Sequence, residues 1–311
     1  MERSIFNITC FIFPNRIWRK YISLLLIAAL ISKSPIFAQG NRAKELKKVP
    51  NLLCFWDFQN NSNGHFTSKG KYAYKLKEMN GPILQSKEGI FGQSSLQIKK
   101  GQWLIIKRKD CPGLNIHGDR NVTIVAWINR KEDGIWQYIA GMWNERDGKR
   151  QYALFTCGHK QTDYTTMERV DAKTQVHGYV SEVGGATPGH PYCFSYATGK
   201  KKVNMGEWIM IAFTYDHKSL SVYFNGTLDE NGNYNPFVWD HPIFDGGKDG
   251  SDFTVAQRAL PKWPGYPTEV VPATGEGFGG LLGGLAVYDR ALGSNEINRI
   301  YESTMQKIPI K

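Results

Sequence analysis

The chain has 311 residues, of which 41% are hydrophobic and 22% are charged, and its formal net charge at neutral pH is +11. The basic side chains lie in short, scattered stretches without a long basic helix or a nucleic-acid motif. Composition therefore does not indicate nucleic-acid binding, despite the positive charge.

The first 38 residues are typical of a secretory signal peptide. Arg19 and Lys20 precede an apolar run over 21–31, and small residues over 34–38 follow it. The run is shorter than a membrane-spanning helix, and no later stretch reaches the length of about 18 apolar residues that a span needs. We therefore expect cleavage after Ala38 and an exported protein, periplasmic or extracellular, with no membrane span once the signal is removed.

Cleavage changes the charge and leaves one long domain. The first 38 residues hold five basic side chains and one acidic one, so their removal lowers the net charge from +11 to +7. For an exported protein an anionic polysaccharide is the more sensible acidic partner, and a solvated basic surface without such a partner is the alternative.

Residues 39–49 are polar and lysine-rich and are interpreted as a linker. Residues 50–306 are interpreted as one domain and 307–311 as a tail.

Short apolar runs separated by turn signals recur through the domain. They are "LLCFWDF", "SSLQI", "WLIIKR", "NVTIVAWINR", "WQYIAGMW", "QYALFTC", "EWIMIAFTYD", "SLSVYFNG", "DFTVAQRAL" and "LGGLAVYDRAL". Many short strands predict an all-β fold, a two-sheet antiparallel β-sandwich or jelly roll. Both faces of "TIVAWI" are apolar, which is typical of a central strand covered on both sides. A short C-terminal helix is predicted over "SNEINRIYESTMQ", with Ser294 as its N-cap.

Three of these segments carry a family resemblance. "NVTIVAWINR", "GEWIMIAFTYD" with "LSVYFNG", and the closing "FGGLLGGLAVYDRALGSNEINRIY" resemble the laminin-G-like, concanavalin A-type jelly-roll domains of secreted bacterial proteins. The resemblance extends over roughly 51–302. It implies two antiparallel sheets packed face to face, one of them concave, and it implies carbohydrate or protein binding more often than catalysis.

Two connections are longer than is usual in that family, over 158–191 and over 227–250. Because a sandwich is a rigid scaffold whose loops carry function, we expect the site at these connections. In "HGYVSEVGGATPGH" the glycine and proline residues predict tight turns, which would bring His177 and His190 over a sheet.

Two classes of function fit this pattern. One is an exported carbohydrate-binding, lectin-like protein associated with polysaccharide recognition or utilisation, in which Trp143 and Tyr192 stack on sugar rings. The other is a polysaccharide-cleaving enzyme, a lyase or glycoside hydrolase, with its site under the 158–191 loop. The acid pair of the glucanases with this fold is missing from the sequence. The candidate catalytic residues are Glu145, Arg150, His177 and His190.

Gln175 is a further candidate for carbohydrate binding. The tripeptide "QVH", residues 175–177, resembles a motif of jelly-roll alginate lyases, in which the glutamine neutralises the carboxylate of a uronate and the histidine assists proton abstraction. The arginine-rich strand motif of those lyases is absent.

Cysteine and aspartate spacing supports two structural hypotheses. Cys157 and Cys193 flank the 158–191 loop and are predicted to form a disulfide if their strands pair, with buried thiols as the alternative. Asp245, Asp249 and Asp252 lie among glycines, which suits calcium, and an Asp-Gly turn without an ion is the alternative. The histidines show no zinc-binding spacing.

Overall fold

The computed structural model describes residues 42–134, 136–157, 160–162, 169–171, 174–258 and 276–305. The predicted signal peptide over 1–38 and the predicted tail over 307–311 lie outside these ranges and stay predictions. The described residues belong to one compact unit. Among them, no helix has the length and apolar character that crossing a membrane requires.

Strands dominate the described residues. In chain order they are β1 (Leu52–Trp56), β2 (His65–Thr67), β3 (Lys75–Met79), β4 (Leu84–Ser86), β5 (Ser95–Ile98), β6 (Trp103–Ile106), β7 (Val122–Arg130), β8 (Trp136–Asn144), β9 (Lys149–Cys157), β10 (Lys160–Thr162), β11 (Arg169–Asp171), β12 (Gln175–Val180), β13 (Tyr196–Thr198), β14 (Ile209–Tyr215), β15 (Ser219–Phe224), β16 (Thr227–Leu228), β17 (Phe237–Val238), β18 (Phe253–Val255) and β19 (Gly280–Tyr288). The helical segments are α1 (42–47), α2 (Ser294–Thr304) and the short 3-10 helices Arg108–Asp110, Pro112–Leu114, Gly232–Tyr234 and Gly247–Asp249.

The strands form two large antiparallel sheets and a small ribbon. A nine-stranded sheet has the order β16-β15-β14-β7-β19-β5-β4, with β1 paired to β19 and β17 paired to β15. An eight-stranded sheet has the order β13-β12-β9-β8-β18-β6-β3-β2, and β10 pairs with β11. This arrangement confirms the predicted two-sheet antiparallel sandwich with a short C-terminal helix.

A large hydrophobic core fills the space between the sheets. Ile124 and Ile128 of β7 lie in this core together with Leu154 of β9. Because side chains alternate along a strand, Val125 and Trp127 point to the opposite side of the nine-stranded sheet and lie in a second cluster. The prediction that β7 is a central strand buried on both faces is therefore confirmed.

The second cluster is covered by both helices. Leu46 of α1 and Ile297 of α2 are fully buried in it, and the indole Nε1 of Trp127 donates a hydrogen bond to Thr304 Oγ1 at 2.9 Å. Residues 39–49, interpreted from sequence as a linker, thus include a helix that packs on the domain. The N-cap of α2 is Gly293 rather than the predicted Ser294, and Glu296 Oε2 accepts a hydrogen bond from the Gly293 N–H.

The predicted 158–191 loop contains a strand. Residues 175–180 form β12, which pairs with β9 on one side and β13 on the other, so His177 lies within a strand and not at a loop end. Val176 and Val180 point into the core between the sheets. A Cβ at Gly178, between them, would overlap the ring of Phe213 on the opposite sheet. This glycine therefore allows close packing of the sheets and makes no turn.

The same strand separates the two cysteines that were predicted to form a disulfide. Cys157 pairs with Gln175 at the first residue of β12, whereas the Cys193 thiol contacts the carbonyl oxygen of Val180 at the last. Five residues of extended chain span roughly 16 Å, more than twice the Cα separation that a disulfide tolerates. The predicted Cys157–Cys193 disulfide is therefore wrong, and no bond joins these two residues.

The close packing at Gly178 predicts a large cost for one added methyl group. Because a Cβ there overlaps the Phe213 ring, Gly178→Ala should lower the free energy of unfolding by about 1–3 kcal/mol. Chemical denaturation measures this loss. Gly185→Ala is the control, since a Cβ at 185 has no neighbouring atom within 4 Å. Equal stability of the Gly178→Ala protein and the parent would contradict the packing requirement.

Candidate functional site

The outer face of the eight-stranded sheet carries a cluster of aromatic rings. Tyr179 of β12 lies directly opposite Tyr196 of β13, and their rings stack with centroids 4.5 Å apart. Phe155 of β9 and Trp143 of β8 contact the Tyr179 ring edge-on, at 5.3 and 5.4 Å. These residues alternate with side chains that enter the core, so β8, β9 and β12 are buried on both faces.

The connection from β12 to β13, residues 181–195, lies against this cluster. Its course is fixed by backbone hydrogen bonds from Ser181 N to Gln151 O and from Arg150 N to Gly184 O. Gly184 has a φ of +75°, and a Cβ there would overlap the carbonyl oxygen of Gly148, so this position requires glycine. A further bond, from Thr187 N to Tyr192 O at 3.0 Å, closes the turn before β13.

A pocket of ≈ 190 Å³ lies between this connection and the sheet. Its aromatic walls come from β8, β9, β12 and β13 and from the 181–195 connection, and its charged groups are two arginines and two glutamates. The described lining residues are Trp136, Trp143, Glu145, Arg150, Phe155, Tyr179, Tyr192, Cys193, Phe194, Tyr196, Arg258 and Glu276.

The charged residues of the pocket form one connected network. Arg258 pairs with Glu145 through Nη1 and with Glu276 through Nη2, and Arg150 Nη2 lies 3.0 Å from Glu145 Oε1. Arg150 also lies over the ring of Trp143, 5.8 Å from its centroid. Two positive and two negative groups cancel, so the pocket is polar without a net charge.

Burial shifts the pKa of two residues that line the pocket. Partial burial lowers the pKa of Arg150, but a guanidinium keeps its charge in proteins. Desolvation raises the pKa of the Cys193 thiol, so this pocket residue stays protonated and is not a nucleophile at neutral pH. What the pocket offers is hydrogen-bonding groups and aromatic surface.

Four of the residues predicted from sequence meet in this pocket. Trp143 and Glu145 come from the end of β8 and its following turn, Arg150 from the start of β9, and Tyr192 from the connection. Tyr192 is 57% exposed, which leaves its ring accessible to a ligand. The long connection contributes Tyr192 to the pocket, whereas His177 and His190 are not among the described lining residues.

His177 lies beneath the pocket. It is fully buried, and its ring is 5.3 Å from that of Tyr196 and 5.7 Å from that of Trp136. Desolvation lowers its pKa to about 3, so the ring is neutral and cannot exchange protons with a substrate at the surface. The interpretation of His177 as a catalytic acid or base is corrected accordingly. His190 is exposed, with its ring 4.9 Å from that of Phe194.

Gln175 is also turned away from the pocket. It is 6% exposed, and its Nε2 donates a hydrogen bond to the carbonyl oxygen of Gly199 at 2.6 Å. The side chain thus connects β12 to the chain after β13. The predicted contact of Gln175 with a sugar carboxylate is therefore not available in this arrangement.

Arg258 and Glu276 are the charged pocket residues that sequence reasoning missed. Arg258 follows β18, and Glu276 precedes β19, with its carbonyl oxygen accepting a hydrogen bond from Tyr138 N at 3.0 Å. They lie 113 and 131 positions after Glu145 in the sequence, so no local pattern joins them. The pairing of β18 with β8 is the feature that brings Arg258 to the pocket.

The three aspartates predicted to bind calcium do not converge. Arg108 is 7% exposed, and its guanidinium contacts Asp245 Oδ1 at 3.4 Å and the carbonyl oxygen of Gly247 at 2.5 Å. Asp252 accepts a hydrogen bond from the Arg108 backbone N–H at 2.8 Å, and Asp249 is exposed. The glycine-rich turn thus surrounds a guanidinium, and calcium binding stays an untested prediction. Across the described ranges, no three His, Cys, Asp or Glu side chains are placed to hold a metal ion.

Comparison with protein families identifies the fold. Residues 109–298 match the family model described as the concanavalin A-like lectin/glucanases superfamily, which is more than half of the chain. The chain belongs to this superfamily. The match covers β7 to β9, the whole 174–258 range and β19, and therefore every strand that lines the pocket.

The chain is also similar to several solved structures, at low identity. Domain 4 of AbnA, a GH43 extracellular arabinanase from Geobacillus stearothermophilus in complex with arabinotriose, is 16% identical, with 81% of this chain and 98% of that chain covered and a TM-score of 0.49. A Trypanosoma rangeli sialidase mutant is 13% identical, with coverages of 88% and 38% and a TM-score of 0.49. The receptor-binding domain of botulinum neurotoxin C/D mosaic serotype is 9% identical, with coverages of 83% and 52% and a TM-score of 0.49. No curated protein matches the chain.

Burial of His177 predicts a dependence of stability on pH. The unfolded chain takes up a proton near pH 6.5, but the folded protein binds that proton only near pH 3. Stability should therefore fall as the pH is lowered through this window, by about 1.4 kcal/mol per pH unit from this residue. His177→Phe should remove that part of the slope in urea denaturation between about pH 6.5 and pH 4.

His190→Phe is the control for this measurement, because it removes an exposed histidine from the same region. Its stability should keep the parent's dependence on pH. An unchanged slope in the His177→Phe protein would contradict the assignment of a buried, neutral His177.

Proposed function

We propose that the protein is an exported carbohydrate-binding protein and that the aromatic pocket on the eight-stranded sheet binds one sugar unit of a polysaccharide. The observation that carries this proposal is the combination of aromatic walls with the Glu145–Arg258–Glu276 network. Aromatic rings stack on the apolar faces of sugar rings, and charged groups make strong hydrogen bonds to hydroxyls.

The size and charge of the pocket limit the kinds of sugar that it can bind. Its ≈ 190 Å³ is below the range of about 300–1,000 Å³ that is typical of pockets for drug-sized ligands, which favours a single sugar unit. Because its arginines and glutamates balance, the pocket suits an uncharged sugar with several hydroxyls. The signal-like sequence over 1–38 supports export to a compartment where polysaccharides are encountered.

A polysaccharide-cleaving enzyme is the second candidate, and a specific observation favours it. Glu145 and Glu276 are two carboxylates in one pocket, joined by the Arg258 guanidinium, and most glycoside hydrolases use a carboxylate pair. In such a pair one carboxyl group must donate a proton. Both carboxylates here are held in ion pairs with the Arg258 guanidinium, so the geometry supports binding better than hydrolysis.

Retention on immobilised plant, algal and animal polysaccharides tests the proposal. Tyr192→Ala removes an accessible ring and should weaken binding to the retained polysaccharide about tenfold. Glu276→Gln should weaken it too, because the glutamine loses its charge-assisted bonds. Val238→Ala is the control, since Val238 is 79% exposed on β17 of the nine-stranded sheet. Failure of the parent to be retained on any polysaccharide, or parental retention of both pocket variants, would overturn the proposal.

The same incubations separate the two candidates when new reducing or unsaturated ends are measured. Binding without chemistry predicts that no new ends form, while retention depends on Tyr192. New ends that disappear in both Glu145→Gln and Glu276→Gln proteins would establish the enzyme instead, with the two carboxylates as its catalytic pair.

A further inference from the structure

A second groove lies on the same face of the eight-stranded sheet, at its other end. It has a volume of ≈ 490 Å³ and is formed by β2, β3 and β6 together with the 3-10 helix Arg108–Asp110. Its floor includes Met79 and Ile105, which pack with Trp103 in a small apolar cluster. The described residues that line this groove and those that line the aromatic pocket are different.

The rim of this groove is basic. Lys75 and Lys77 alternate with the core residue Leu76 along β3, so both ammonium groups are on the outer face. Lys107 follows β6, and the three lysines are exposed. Asp110 is the acidic residue among the described lining groups, and His65 lies opposite Lys77 on β2. Lys107 also forms an ion pair with Asp252 at 3.3 Å, so the positive charge of the groove comes mainly from Lys75 and Lys77.

Sheet topology places the groove close to the aromatic pocket. The groove includes β6 and the pocket includes β8, and β18 is the strand between them. Lys75 and Lys77 lie on β3, the strand after β6, so three intervals between neighbouring strands separate them from β8, about 14 Å. When one sugar unit of a polysaccharide occupies the pocket, units farther along the same chain can therefore reach the lysines.

We propose that this groove is a second binding site, and that it binds the anionic substituents of a polysaccharide whose uncharged unit occupies the aromatic pocket. This inference rests on the proposed carbohydrate-binding function and specifies the class of ligand. Lysine ammonium groups attract sulfate or carboxylate groups as point charges. The apolar floor, Met79 and Ile105, contacts the faces of the sugar rings between them. The site thus selects an anionic polysaccharide chain over a neutral one.

A single polysaccharide backbone with different substituents tests the charge selection. The probes are dextran, carboxymethyl dextran and dextran sulfate of equal chain length, with affinity measured at low and at physiological salt. The parent should bind one or both charged dextrans more tightly than dextran, and added salt should weaken the difference. The carboxymethyl and sulfate forms show which anionic group is preferred. Equal binding of all three dextrans would overturn the inference.

The double variant Lys75→Ala/Lys77→Ala should bind the preferred charged dextran about tenfold more weakly than the parent. Lys87→Ala/Lys218→Ala is the matched control, because both lysines are exposed and lie next to strands of the nine-stranded sheet. These substitutions remove the same amount of charge as Lys75→Ala/Lys77→Ala. An equal loss in both double variants would show an effect of net charge alone and would overturn the site. Unchanged melting temperatures verify that both double variants are folded.

Two additional arms separate this inference from the proposed function. Single-stranded DNA is used as a competitor, and displacement as strong as that by the free charged dextran would show a general polyanion surface and overturn the inference.

Tyr192→Ala should leave the preference for charged dextran over dextran unchanged. If the lysine substitutions weaken binding of charged dextrans while Tyr192→Ala weakens binding of no polysaccharide, the groove is supported and the proposed function of the pocket is wrong. If Tyr192→Ala weakens polysaccharide binding and the lysine substitutions do not, the pocket is supported and the groove is wrong.

Discussion

Burial of β8, β9 and β12 on both faces is the constraint on which the site depends. One set of alternating side chains fills the core between the sheets, and the other set builds the aromatic cluster with Tyr179 at its centre. Such strands cannot face water on their outer side without exposing several aromatic rings. The 181–195 connection therefore packs against them, and the pocket is the space that this cover leaves open.

The same constraint explains the residues around the pocket. Gly178 lets β12 approach the opposite sheet, and Gly184 lets the connection approach the start of β9. His177 is neutral because the aromatic rings and the strands enclose it. The charged groups that line the pocket lie at the end of the cluster, where Glu145 follows β8 and Arg258 follows β18, and there they form ion pairs with each other. A neutral, hydrogen-bonding rim around aromatic walls is the result.

The sequence was sufficient to predict the fold, and it pointed to four of the twelve described residues that line the candidate pocket. Strands such as β7 were predictable because alternation on both faces is a local pattern, and Trp143, Glu145 and Arg150 were found because they stand at strand ends. Segment 175–180 was missed as a strand, since a glycine and a histidine interrupt its apolar alternation. Arg258 and Glu276 could not be found, because only the pairing of distant strands brings them to Glu145.

Two structural hypotheses failed or changed for a related reason. The cysteines at 157 and 193 flank one connection, but the strand inside that connection places them at opposite ends. The glycine-rich turn near Asp245 has the composition of a cation site, and the cation that it surrounds is the Arg108 guanidinium, supplied from 137 positions earlier. In both cases the spacing of residues along the chain did not show which other part of the structure lies between or beside them.

A crystal structure of the protein with an oligosaccharide from a retained polysaccharide would show where the sugar binds. We predict that one sugar ring packs against Tyr192 in the aromatic pocket and that its hydroxyls form hydrogen bonds with the network of Glu145, Arg258 and Glu276. A sugar bound on the nine-stranded sheet, or anywhere without contact to Tyr192 and this network, would contradict it.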